Sequence, residues 1–216
     1  MNEPVAIYGM QQIVFDKSIS NTQNIILSQG REALKAVVRR IIELEDFSSA
    51  GSIQNAVTDD RAHSVISDLC YQAGIASTIL LDNAKVKQES KVAHQLRMDR
   101  IAYVQALCES QKIKIVLLRD RRIRNTLTHI DERLADILTE KKNAKWFIDV
   151  TIDPSEWQTV KPFEDNYCRC YDFINKKILH LGLELDILKL YYECLALLAA
   201  VFGFDGKKIN SHNIFS

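Results

Sequence analysis

The chain has 216 residues, 47% hydrophobic and 26% charged, which suits one large domain with an ordinary core. Lys plus Arg and Asp plus Glu both total 28, so a globally basic or acidic protein is excluded and any charged patch must be local. Only 7 Gly and 3 Pro are present, which favours long helices over many turns.

In chain order, residues 1–19 show no clear period and are expected to form an N-terminal arm or a short strand. The opening "MNEPVAIYGMQQIVF" lacks the basic and then apolar order of a secretory leader. From about Thr22 to Glu45, Ile26, Leu34, Val37, Val38, Ile41 and Ile42 recur at helical spacing, with Ser20 or Asn21 as N-cap. "DFSSAGSIQNAVTDD" then reads as a loop. A second helix is expected from about Asp59 to Asn83, with Val65, Ile66, Leu69, Ala73, Ala76 and Leu80 as its apolar stripe. A third, about Glu89 to Glu109, uses Ala93, Leu96, Ile101, Val104 and Cys108. A fourth, about Ile113 to Glu140, carries the strongest period of all, through Val116, Ile123, Leu127, Ile130, Leu134 and Ile137.

After Lys145 the texture changes. "WFIDVTI" is β-branched and aromatic, and "DPSEW" stops it. "YCRCYDFINKKILHLG" reads as two short strands about a turn at Asp172 to Lys176, and an apolar helix from about Glu184 to Phe202 closes the chain. The expected fold is mainly α. An up-and-down helical bundle occupies 20–145, and a small β-hairpin or meander plus a closing helix, 146–216, packs on the same domain. The longest apolar run, "CLALLAAVFGF", is too short to span a bilayer. Five scattered cysteines suit reduced thiols. Together these point to a cytoplasmic protein with no membrane partner.

The fourth helix holds the most informative stretch, "RDRRIRNTLTHIDERL" (Arg119 to Leu134), in which four arginines fall within six residues. On a helical wheel the apolar stripe gathers on one side, and Asn125 lies roughly opposite its centre. Arg121, Arg124, Thr128, His129 and Glu132 fan out around Asn125. From Lys112 to Lys145 there are 10 Lys/Arg against 5 Asp/Glu, a local +5 in a neutral chain. Such a field attracts polyanions, and Arg suits forked contacts to phosphate. A solvated charged face explains the arginines equally well. It does not explain a mediocre helix former, Asn125, mid-helix with nothing to cap, or His129 one turn beyond it.

Those residue types fit phosphodiester chemistry. Cleavage of RNA by its own 2′-OH needs a base, an acid for the leaving 5′-oxygen and positive charge on the crowded phosphate. Histidine titrates near neutrality and serves either proton-transfer role. Arginine stabilises developing charge, and Asn orients its neighbours. One helix supplies one histidine, so a two-fold dimer burying this face would complete an acid–base pair. No cofactor or metal is called for.

"RNTLTH" (Arg124, Asn125, His129) resembles the Arg-x4–6-His motif of the HEPN superfamily, in which a polar residue, usually Asn, follows the Arg. "QAGIASTILL" (Gln72 to Leu81) looks like the segment preceding the motif helix in several members. "CRCYDFINKKILHLG" is similar to hairpin appendages that follow the motif in some HEPN-like families. The resemblance covers roughly Asp59 to Phe202. It implies a four- or five-helix bundle that commonly dimerises and, in active members, metal-independent endoribonuclease activity in toxin–antitoxin, phage-defence or RNA-processing systems. Arg124 would then contact the scissile phosphate, Asn125 would position it and His129 would transfer protons. Arg119, Arg121, Arg122 and Thr128 would bind RNA. Members paired with a nucleotidyltransferase antitoxin often carry Tyr two residues after the His, where this chain has Asp131, so that particular partner is not implied. Asp68 and Ser77 are candidates for the further polar residue that some members place on an earlier helix. The alternative is a catalytically silent helical module of the same kind, binding RNA, a nucleotide or a protein partner.

The remaining chemistry-bearing residues read as structural. His63, His94 and His212 lack partners at ligand spacing and are expected on the surface or in loops, and His180 in a strand. Cys168 and Cys170 would share one face of a strand, without the second pair that zinc needs. Trp146 and Trp157 read as packing around the β segment, and Tyr191 and Tyr192 as straddling the buried edge of the last helix.

Overall fold

The computed structural model describes residues 20–49, 60–84, 88–120, 122, 139, 147–148, 151–152, 167–172 and 175–204. Among them the chain is mainly helical, with a small sheet and a closing helix. Helix α1 is Asn21–Ser49, α2 is Asp60–Leu80, α3 is Lys91–Ser110 and α4 is Ile187–Phe202. Ser20 caps α1 through a reciprocal box: the Gln23 N–H donates to Ser20 Oγ at 3.3 Å and the Ser20 N–H to Gln23 Oε1 at 3.2 Å. The helix then continues past Glu45 into "DFSS", further than its apolar stripe alone requires.

α1 and α2 run antiparallel. Gly30 of α1 sits where a Cβ would meet Leu80 Cδ2 at 2.8 Å, and at the other end Arg40 Nε donates to Asp68 Oδ2 at 2.6 Å. Glycine removes the side chain at the closest approach, so the backbones can pack there. α3 returns antiparallel to α2. Arg100 Nε donates to the Ile79 carbonyl at 2.8 Å and Arg97 Nη1 to the Asp82 carbonyl at 3.0 Å, which places two cations at the C-terminal end of α2. This changes the expected face of α3. Arg97 and Arg100 are buried with Ile101, Val104 and Cys108, whereas Ala93 is exposed. An apolar count cannot find a face that includes arginine stems bonded to a neighbouring helix end.

The strands are β1 (Phe147–Ile148), β2 (Thr151–Ile152), β3 (Tyr167–Cys168), β4 (Cys170–Asp172), β5 (Lys177–His180) and β6 (Leu183–Asp186). β4, β5 and β6 form an antiparallel meander, β2 pairs parallel with β4, and β1 pairs parallel with β3. Arg169, at φ 54, separates β3 from β4, so Cys168 and Cys170 belong to different strands rather than one face of one strand. The β4–β5 turn is held by Asp172, whose carboxylate accepts from the Asn175 N–H at 2.9 Å and from its side-chain amide at 2.6 Å. Leu181 and Gly182, both at positive φ, make the two-residue β5–β6 turn.

The last helix starts three residues later than its apolar run suggests, because Leu183–Asp186 is strand β6. Asp186 caps α4 by accepting from the Lys189 N–H at 2.9 Å, and Gly203 ends it at φ 65. One core joins the four helices with β4, β5 and β6: Leu34, Val37, Ile41, Ile66, Leu69, Leu80 and Val104 pack with Tyr171, Ile178, Leu185, Leu190 and Leu197. Glu45 ties the meander to α1, accepting from Tyr171 Oη at 3.1 Å and pairing with Lys176 Nζ at 2.7 Å. His63 is buried on α2 rather than at the surface, while His94 is half-exposed and His180 is buried in β5. Among the described residues no helix is long and apolar enough to cross a membrane.

Candidate functional site

Of the residues singled out for phosphodiester chemistry, Arg121, Arg124, Asn125, Thr128 and His129 lie outside the described residues. So do Trp146, Trp157 and His212. The structure describes the approach to them, from the end of α3 to Asp120, and Arg122.

That approach is not the helix expected from Ile113. α3 ends in a Schellman arrangement: the Lys112 N–H donates to the Glu109 carbonyl at 3.1 Å and the Ile113 N–H to the Cys108 carbonyl at 2.8 Å. Lys112 takes the left-handed conformation, φ 56, that glycine usually fills here. Residues 113–116 run irregularly, with Ile115 buried. A tight turn follows, in which the Asp120 N–H points to the Val116 and Leu117 carbonyls, both at 3.1 Å. Val116, placed on the apolar stripe by spacing alone, is 40% exposed.

A carboxylate from α4 holds this turn. Glu193 Oε1 accepts from the Val116 and Leu117 N–H groups at 2.9 and 3.0 Å, and Oε2 accepts from the Leu118 N–H at 3.0 Å. Glu193 is buried, at 6% exposure. Three successive N–H donors converging on one anion make a strong, directional, charge-assisted anchor. The next step is local: Asp120 Oδ1 accepts from the Arg122 N–H at 3.0 Å, and Arg122 has helical backbone. Asp120 therefore accepts from the N–H two residues on, as the first residue of an Asx turn does.

Both described arginines of the basic stretch face outward. Arg119 is exposed, and the Arg122 side chain is 73% exposed. Arg122 is also held by Asp120, through Nε at 3.0 Å and Nη2 at 2.6 Å. This pairing keeps the Asp120 carboxyl below its ordinary range, chiefly through the Arg122 side-chain bond. Cys108 lies close enough to Arg119 to feel its charge, but burial dominates and pushes the thiol pKa up.

The two earlier-helix candidates separate clearly. Asp68 is used by Arg40 and Gln72 at the α1–α2 seam. Ser77 is buried and lines a small recess with Cys70, Gly74, Leu117, Leu118 and Asp120, beside the approach. Cys70, fully enclosed there, is pushed up to about 12 by burial and is chemically inert. Among the described residues no group of three or more His, Cys, Asp or Glu could hold a metal ion.

Sequence reasoning missed Glu193 and Asp120. A signal for Glu193 was available: it is the one acid in "ILKLYYECLALLAAVF" and falls on the stripe of Ile187, Leu190, Cys194 and Leu197. A lone acid on an apolar stripe needs a partner from elsewhere in the fold. No family model, curated protein or solved structure matches this chain.

Proposed function

We propose that this protein is a metal-independent endoribonuclease of the HEPN type, acting in a toxin, defence or RNA-processing role in the cytoplasm. The observation that carries the reading is the spacing Arg124–Asn125–His129 within a stretch of local charge +5 in an otherwise neutral chain. Arg124 would contact the scissile phosphate, Asn125 would orient it, and His129 would take or give the proton. Arg119 and Arg121, with Thr128, would guide the RNA backbone, and Arg122 would join them by exchanging Asp120 for phosphate. A second subunit would bring the second His129, so the working form is a homodimer, open to control by an antitoxin or other protein partner.

The mainly helical fold and the outward-facing Arg119 and Arg122 support this reading. One observation favours the alternative, a silent module that binds RNA, a nucleotide or a protein: Arg122 is already paired with a carboxylate. One assay separates them. RNA is incubated with the purified chain in EDTA, beside His129→Ala. Cleavage in EDTA that falls by at least about 10²-fold in the variant is expected for a general acid–base residue. RNA retained by both forms without cleavage would assign the silent module instead.

A further inference from the structure

We propose that the exposed side of α4, with the turn docked beside it, is a binding platform for single-stranded nucleic acid, on which Tyr192 stacks a base and Lys114 and Lys189 take phosphates. The platform is built from residues outside the Arg124–His129 motif. It goes beyond the cleavage reading and holds or fails whether or not the chain cuts RNA.

Single exposed apolar side chains are ordinary on a protein surface, but a group of them marks a binding face. Six large apolar residues are exposed among the described ones, and Val116, Leu188 and Tyr192 come together near Glu193. Leu188 and Tyr192 stand one turn apart on α4. Glu193, the next residue, holds the Val116 N–H at 2.9 Å, which brings Val116 alongside them. Burial alternates along the incoming stretch: Ile113 and Ile115 pack against the core, whereas Lys114 and Val116 are exposed. Lys114 therefore leaves the surface on the same side as Val116.

Tyr192 is 66% exposed, and Tyr191 meets its ring edge-on, with centroids 5.5 Å apart at 78°. Tyr191 is only partly exposed, so it steadies the ring without covering it. A ring placed this way adds little to the core and offers a π surface on which an unpaired base can stack.

The charge around the ring is positive. Lys189, three residues before Tyr192, is exposed on the adjoining side of α4, and Lys112 and Arg119 are exposed at the two ends of the turn segment. Lys112, Lys114 and Lys189 have no carboxylate partner among the described residues. The acids nearby are mostly engaged: Glu193 is buried on three N–H groups, Asp120 holds Arg122, Asp186 caps α4 and Glu184 pairs with Lys177. Glu109, exposed at the end of α3, stands against four cations. Unpaired cations beside an exposed ring suit a single strand, whose phosphates follow the charge while a base takes the ring. A duplex hides its base faces and would gain from the charge alone. A lipid surface calls for a broad apolar face, and α4 turns its own, with Leu190, Cys194 and Leu197, into the core.

The test measures binding of the full-length chain to a labelled oligouridine of about ten nucleotides. The oligonucleotide carries 2′-O-methyl sugars, so it cannot be cut through its own 2′-OH. Affinity is followed across about 50 to 200 mM salt for the wild type, Y192A, Y192F, K114Q and K189Q, with melting curves in parallel. Y192A should weaken binding by about 5- to 100-fold, the range that stacking of one base supplies, and Y192F should stay within about two-fold of the wild type. Each lysine variant should flatten the slope of log affinity against log salt by about 0.7, one phosphate's share on a single strand, whereas Y192A should leave that slope unchanged. A purely structural role does not produce this split. Should Y192A fail to fold, Y192L keeps apolar bulk without a π face and carries the same expectation. Wild-type affinity in Y192A or Y192L overturns the proposal, as does a salt slope unchanged in both lysine variants or a duplex that competes as well as the single strand. Loss of self-association in Y192A with oligouridine binding intact would assign the face to a second copy, and Tyr192-dependent binding to phosphatidylserine vesicles without oligouridine binding would assign it to lipid; either result overturns the proposal. A chain that binds the oligouridine as expected but never cleaves RNA sinks the ribonuclease reading and leaves the platform standing. Metal-independent cleavage by a chain whose Y192A variant binds as the wild type does the reverse.

Discussion

Glu89 shows how much one side chain can gather. Its carboxylate accepts from Arg97 Nε at 2.9 Å and Nη2 at 2.7 Å, and His94 Nδ1 lies at 3.1 Å. The paired Arg97, helped by His94 and opposed by desolvation, lowers the Glu89 pKa from 4.5 to about 2. The folded value lies below the unfolded one. The pairing therefore contributes its full stability above pH 4.5 and loses it as the pH falls through about 2. Glu89→Gln should lower the melting temperature by a constant amount above about pH 5, with the difference closing towards pH 2. A difference that stayed constant down to pH 2 would show that Glu89 does not carry this linkage. None of this cluster was legible beforehand. His94 looked like a surface histidine because its partner stands five residues away, a spacing that no helical pattern flags. His63 failed for a related reason, since α2 buries it at a position where the stripe only begins.

At the scale of elements, periodicity and caps were well matched to their helices. Of the two caps read for α1, Ser20 is the one used, and the stripes of α1 and α2, Ile26 apart, meet in the core. Their seam turns on Gly30, where an added Cβ would press on Leu80 Cδ2 and Cγ and on Ile79 Cγ2. Leu80 is fully buried and has little room to move. Gly30→Ala should gain about 1 kcal/mol of helix propensity but lose about 1–3 kcal/mol to overpacking. Urea unfolding is expected to show net destabilisation, and a stabilised variant would mean that the seam relaxes freely. The starts of two elements were not legible. The approach to the basic segment reads as helix from Ile113, yet Lys112 in the left-handed region and the Glu193 bonds hold it in turns. Leu183–Asp186 pairs with β5 although its composition suits α4 equally well. In the first case a distant carboxylate overrode a local preference, and in the second a neighbouring strand across a two-residue turn did.

Across the whole molecule, α1, α2, the meander and α4 share one core, so the site's approach is framed by elements from both ends of the sequence. The proposed reading, a ribonuclease site made from two copies, has a consequence that a single-chain site lacks. Specific ribonuclease activity should fall as the protein is diluted below its dimer dissociation constant, and mixing wild type with an excess of His129→Ala should poison it. Activity per chain that stayed constant across the monomer–dimer transition, followed by analytical ultracentrifugation, would assign the chemistry to one subunit. The sequence by itself determined the helical class, the main apolar stripes, the hairpin turn at Asp172 to Lys176 and the motif that carries the functional reading. All of these are properties of nearby residues, set by spacing and turn chemistry. Only the tertiary structure decided that Arg97 and Arg100 are buried against the end of α2, that Ser77 rather than Asp68 borders the approach, and that Glu193 holds the turn before the arginines. The arginine and Glu193 bonds join polar groups 15 to 77 residues apart, and only the folded core brings such groups within bonding distance.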